Sequence, residues 1–151
     1  METERVTDFL FFTRRLEKCL FAVKGREGEK LSLKGIHILC LFFLCAKGPM
    51  SVMELARATQ EDKGAVSKAL EKLRRTNFVE AKKRYMEPIR LTRHGEVEAA
   101  RLMHRIQRIA EAAREGINQD EADAFIKTLR AYVCNFDRAI LASEAKSAAI
   151  A

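Results

Sequence analysis

Ten basic residues fall within one 31-residue window: Lys63, Lys68, Lys72, Arg74, Arg75, Lys82, Lys83, Arg84, Arg90 and Arg93. Only Glu71, Glu80 and Glu87 oppose them, so the window carries a net +7, the formal charge of the whole 151-residue chain. The other 120 residues balance at 18 basic and 18 acidic. A positive field confined to one segment attracts a polyanion over roughly 10 Å at moderate salt. Catalytic chemistry has no comparable candidates. No GxSxG, Walker loop or GxGxxG is present, and no acid and base are paired in a way that suggests a cleft. His37, His94 and His104 show no ligand spacing, and Cys19, Cys40, Cys45 and Cys134 form no CxxC pair. The expectation is a non-enzyme without metal or cofactor.

The segments that must position the basic window read as helices. Val6, Phe9, Leu10, Leu16, Leu20 and Val23 recur at helical spacing, which predicts a first helix of roughly 20 residues ended by Gly25 and Gly28. Ser32 is the expected cap of a second helix, apolar on nearly every side from Ile36 to Ala46 and stopped by Gly48-Pro49. Ser51 and Glu54 form a capping box for a short third helix, and Asp62 caps a fourth. There Val66, Ala69, Leu70 and Leu73 make one buried stripe, with Asn77 at the left-handed position just beyond. Two short helices joined by the tight turn at 60–62 make a helix-turn-helix.

Phe78-Val79 and Ile89-Arg90-Leu91 read as the two strands of a small hairpin, with Pro88 at a strand start and a basic turn between them. Thr92 is expected to cap a helix of about 24 residues reaching Gly116, and Asn118 with Glu121 caps a last one striped by Ala122, Phe125, Ile126, Leu129, Val133, Phe136 and Ile140. The fold class is thus mostly α (α+β): one domain over 1–151, a winged helix-turn-helix lobe at about 32–95, and long flanking helices at about 4–24 and 96–142. The flanking stripes exceed what the lobe needs for its own core. A second copy of the chain is the simplest cover, since symmetric dimers are the commonest oligomers.

On the fourth helix the buried stripe leaves Gly64, Lys68, Glu71 and Arg75 facing away, with Ala65, Ser67 and Lys72 on the shoulders. Small residues early in the helix permit close approach to a duplex, and Ser67 and Lys68 can donate to base edges. The expected contacts to double-stranded DNA are Lys63, Gly64, Ala65, Ser67, Lys68, Lys72 and Arg75 from this helix and Lys82, Lys83 and Arg84 from the basic turn. Ser51, at a helix start, could hold a phosphate. The alternatives are a solvated helix face, lysines that protect a sheet edge, and a plain cap at Ser51.

These motifs resemble the MarR family of bacterial winged helix-turn-helix transcription regulators. The likeness is carried by Leu33 to Leu39, by GluLeuAlaArgAla at 54–58, by AspLysGlyAlaValSerLysAlaLeuGluLysLeuArgArgThrAsnPheVal at 62–79, and by ArgLeuThrArgHisGly at 90–95. Asn77 stands where the family usually has glycine, and the wing is shorter, without the family's Asp-x-Arg pair. The resemblance implies a homodimer on a pseudo-palindromic site with half-sites roughly 34 Å apart, repression by blocking polymerase, and a small aromatic or amphipathic effector. It also points to Cys19, near Arg15 and Lys18, because one branch of the family senses hydroperoxides through a first-helix cysteine. The bland reading of Cys19 is a small apolar residue extending the stripe. A winged helix that binds protein rather than DNA is the remaining alternative. The N-terminus lacks a signal-peptide pattern and the longest apolar run is about half the ~20 residues a membrane span requires, so a cytoplasmic protein is expected.

Overall fold

The structure, a computed structural model, describes residues 3–81 and 87–150. Six helices follow one another: α1 (Thr3–Lys30), α2 (Gly35–Lys47), α3 (Val52–Thr59), α4 (Lys63–Arg75), α5 (Arg93–Ala113) and α6 (Gln119–Ile150). The chain divides into two compact units, Met1–Gln107 and Arg108–Ala151. None of the described helices is long and apolar enough to cross a membrane.

The first unit is organised around α2, which packs against α1, α3 and α4. Its sequence explains the placement: a helix without a polar face belongs in the middle. Ile38, Cys40 and Leu41 are fully buried and meet Leu55 of α3, Val66 and Leu73 of α4, and Leu102 of α5 in one core. Burial pushes the Cys40 thiol up to about 11, with Glu61 adding to the rise. That sulfur is an inert core atom at neutral pH.

Most local expectations hold. Gly48 ends α2 at φ +80°, Ser51 and Glu54 exchange both capping-box hydrogen bonds, and the Asp62 carboxylate accepts from Ala65 N–H at 2.8 Å. The Thr92 hydroxyl caps α5 by accepting from Gly95 N–H at 2.9 Å, and Asn118 and Glu121 cap α6 reciprocally.

Three expectations are corrected. The first helix does not stop at Gly25 or Gly28 but continues to Lys30. Gly28 is a point of close approach, where a Cβ would overlap the Leu33 carbonyl, and its own carbonyl accepts from Leu33 N–H at 2.7 Å as the chain turns back. Ser32 does not cap α2. It lies in the turn at φ +55°, and the cap position falls two residues later at Lys34, whose N–H donates to His37 Nδ1 at 2.8 Å.

The hairpin is the third correction. Among the described residues no extended ladder forms, only isolated antiparallel bridges, Val79 with Leu91 and Met50 with Ile89. The second bridge brings the α2–α3 connection into the pairing, with Met50 and Ile89 exchanging backbone hydrogen bonds of 3.2 and 2.8 Å. Side-chain burial holds this region: Met50, Phe78, Val79 and Ile89 all belong to the core. The basic turn at 82–86 lies outside the described residues.

In α6 most of the stripe is exposed, with Ala122 and Leu129 partly buried. Phe125, Ile126, Val133, Phe136 and Ile140 are each at least half exposed, and in α1 Leu10, Phe11, Phe12, Leu20 and Phe21 are more so.

Candidate nucleic-acid interface

The candidate surface is the outer face of α4, and both ends of that helix are fixed by local chemistry. At its start the Asp62 carboxylate satisfies a first-turn donor. At its end Lys72, Arg74 and Arg75 meet the negative end of the helix dipole. Beyond Thr76 the chain makes a Schellman turn, in which Phe78 N–H donates to Leu73 O at 2.8 Å and Asn77 N–H to Arg74 O at 3.0 Å. That turn needs a left-handed residue, and Asn77 supplies it at φ +61°.

The helix is anchored from behind. Val66, Ala69, Leu70 and Leu73 are buried, the four positions read from the sequence stripe. Gly64, Ser67, Lys68, Glu71, Lys72, Arg74 and Arg75 are exposed and Ala65 is half-buried. The side chains able to donate therefore project from a rigid support.

A second anchor ties α5 to the end of α4. The Thr92 hydroxyl donates to Asn77 O at 2.5 Å, and Thr92 N–H donates to Phe78 O at 3.0 Å. Gly95 lies so close to this turn that a Cβ would overlap the Phe78 carbonyl oxygen and sit 2.8 Å from its carbon. The ArgLeuThrArgHisGly motif is thus a clasp that holds the Schellman turn, and the His94 ring lies 4.9 Å from that of Phe78.

Not every expected contact stands free on this face. Arg75 donates to the Glu71 carboxylate, so its guanidinium is engaged within the helix. At Ser51 the backbone N–H donates to Glu54 Oε2 at 2.7 Å. This hydrogen bond holds the Glu54 carboxyl below its ordinary range, and the chain itself supplies the anion at that helix start. Lys63 and Lys68 are exposed at the N-terminal end of the face, and Lys82, Lys83 and Arg84 lie in the segment not described.

Arg74 was not among the expected contacts, although its charge lies in the basic window. It lines a hollow with Ser67, Glu71 and Glu80, floored by Leu70, Val79 and Ile89. Its position on the wheel, beside Leu70 and away from Lys68, gave no reason to choose it. His37, which the sequence marks only by its lack of ligand spacing, is buried. Desolvation by burial, then the charges of Lys34 and Lys72, lower its pKa, against the hydrogen bond from Lys34.

Cys19 is exposed rather than part of the core, as is Cys134. Among the described residues no group of histidine, cysteine and acidic side chains is placed to hold a metal ion.

Residues 31–84 match the sequence model of the MarR family. No curated protein matches the chain by sequence. Solved structures resemble it over most of its length. A MarR-family transcriptional regulator from Silicibacter pomeroyi gives a TM-score of 0.72 at 23% identity, covering 83% of this chain and 87% of that one. A MarR-family protein from Bacillus stearothermophilus gives 0.72 at 17% identity over 91% and 99%. A MarR protein from Peptoclostridium difficile gives 0.75 at 17% identity over 87% and 88%. The resemblance read from the motifs is borne out, and the fold is of the MarR type.

Proposed function

We propose that this chain, which has the fold of the MarR family and matches it over residues 31–84, is a sequence-specific DNA-binding transcription regulator acting as a homodimer. The observation that carries this reading is the outer face of α4. It is exposed, capped at both ends, backed by core and set within a window of net charge +7. A helix of this kind enters a major groove, where its N-terminal residues reach base edges.

In this reading Ser67 and Lys68 contact bases, with Gly64 and Ala65 allowing close approach. Lys63 and Lys72 contact phosphates, as do Lys82, Lys83 and Arg84 of the wing turn. Ser51 acts chiefly as a cap, because its N–H already serves Glu54. Two copies of α4 occupy successive major grooves of a pseudo-palindromic site, roughly 34 Å apart. The apolar stripes of α1 and α6, exposed in one copy, are covered by the second. The regulator works in the cytoplasm as a repressor, by excluding polymerase from the promoter. A small aromatic or amphipathic effector releases it by changing the separation of the two α4 helices.

The experiment is selection of bound sequences from random duplex DNA, followed by titration of the best duplex and a scrambled one at several salt concentrations. The expected result is a two-fold symmetric sequence and an affinity that falls steeply with salt through counterion release. Recovery of no sequence, with a flat salt dependence, would leave the protein-binding alternative. The oxidant-sensing alternative draws on the exposure of Cys19. Peroxide-triggered release from DNA that is lost in Cys19→Ser would favour it over an effector-driven regulator.

A further inference from the structure

Attraction to phosphates leaves one group on the α4 face unexplained. Glu71 is the single acidic residue between Lys63 and Arg75, it is exposed, and it follows Ser67 by four residues and Lys68 by three. On a surface that only gripped phosphates, a carboxylate here would subtract charge and repel the DNA backbone. The plain alternative is a helix-stabilising pair with Arg75, four residues on, and exposed pairs of that kind stabilise a helix only slightly.

The chemistry of the major groove gives Glu71 a distinct task. Lys68, Lys72 and Arg75 can only donate, which suits guanine O6 and N7 and the phosphates. An ionised carboxylate can only accept, and the donors on the groove edge are the amino groups of cytosine and adenine. Adenine N6 lies beside the acceptor N7, which repels the carboxylate's second oxygen. Cytosine N4 has an acceptor, guanine O6, on one side only, whereas adenine N6 lies between N7 and thymine O4, so cytosine is the better partner.

The arrangement within α4 supports the assignment. The Arg75 guanidinium binds Glu71 Oε1. This restricts the carboxylate's conformations, offsets its charge beside the phosphates and leaves Oε2 for a base. At 1.5 Å per residue Glu71 stands about 4.5 Å further along the helix than Lys68. That is a little over one base step of roughly 3.4 Å, so the two side chains address neighbouring base pairs.

We propose that Glu71 is a specificity-determining residue that accepts a hydrogen bond from cytosine N4 in the major groove, and that Arg75 is its positioning residue. The proposal rests on the DNA-binding reading above and adds an acceptor to a face otherwise made of donors.

The test repeats selection from random duplex DNA with the full-length wild type, Glu71→Gln, Glu71→Ala and Arg75→Ala, each checked for native helix content by circular dichroism. The wild type should fix a G·C pair beside the one Lys68 governs. Glu71→Ala should make that pair degenerate, with about a tenfold loss on the preferred duplex, while binding to scrambled duplex tightens as the carboxylate's repulsion of the phosphates is lost. Glu71→Gln should move the preference toward adenine, because a carboxamide matches N6 and N7 together. Arg75→Ala should broaden the same position without erasing it. Base frequencies identical to wild type in both Glu71 variants would overturn the proposal, and an unchanged preference in Arg75→Ala would remove the positioning role. A wild type that enriches no sequence would instead sink the DNA-binding reading itself, and this inference with it.

Discussion

Replacing Gly95 by alanine should destabilise the first unit severely, although the same change is favourable in most helices. Gly95 lies in the first turn of α5, where alanine would ordinarily gain about 1 kcal/mol over glycine. Here the added Cβ would overlap the Phe78 carbonyl oxygen and lie 2.8 Å from its carbon. Carbon atoms prefer about 3.5–4.0 Å, so α5 must retreat from the Schellman turn by roughly 1 Å. That retreat strains two hydrogen bonds from Thr92, 2.5 Å to Asn77 O and 3.0 Å to Phe78 O, each worth about 1 kcal/mol. It also loosens Phe78 and Leu102 in the core, where overpacking costs typically 1–3 kcal/mol. Set against the propensity gain, the net loss is about 2–4 kcal/mol. Gly25→Ala is the internal control: Gly25 lies inside α1, five residues before its end, with nothing within 4 Å of its would-be Cβ. It should be neutral or gain up to about 1 kcal/mol. Urea denaturation followed by circular dichroism measures both. Equal midpoints for the two variants would refute the claim that α5 is clasped onto the end of α4 at this glycine.

Three further outcomes follow from the same structure. His37 accepts from Lys34 N–H and its folded pKa is lowered, so the neutral ring contributes stability present above the unfolded value near 6.5. That stability is lost as pH falls through the lower folded value; denaturation midpoints between pH 7 and 5 should fall more steeply for wild type than for His37→Gln, and equal slopes would discount His37. Lys68→Ala should cost about 1–3 kcal/mol on the selected duplex and relax one position per half-site. Lys83→Ala should instead weaken all duplexes alike and lower the salt slope by about one, and the opposite pattern would put specificity on the wing. Phe136→Glu and Ile140→Glu, at sites half exposed in a single chain, should give a folded monomer by sedimentation, whereas an unchanged dimer would move the interface elsewhere.

Sequence by itself determined the features whose causes are local. A capping box spans four residues, so Ser51 with Glu54 and Asn118 with Glu121 could be read directly. The stripe of α4 follows from helical periodicity and coincides with its buried set, and the left-handed Asn77 follows from residue type. The +7 window needs only counting. The tertiary structure decided what depends on distant partners. Gly25 and Gly28 look like helix stops because glycine disfavours helix, yet α1 runs through both; Gly28 is needed because the Leu33 carbonyl occupies the space a side chain there would take, while Gly25 meets no neighbour. Met50 shows no strand signal but pairs with Ile89, 39 residues on, because both side chains enter one core. The expected hairpin reduces to single bridges because burial of Phe78, Val79 and Ile89, rather than a ladder of hydrogen bonds, fixes their positions. Apolar periodicity reveals that a face seeks cover without revealing what covers it, which is why Cys19 could be read as core and is found exposed.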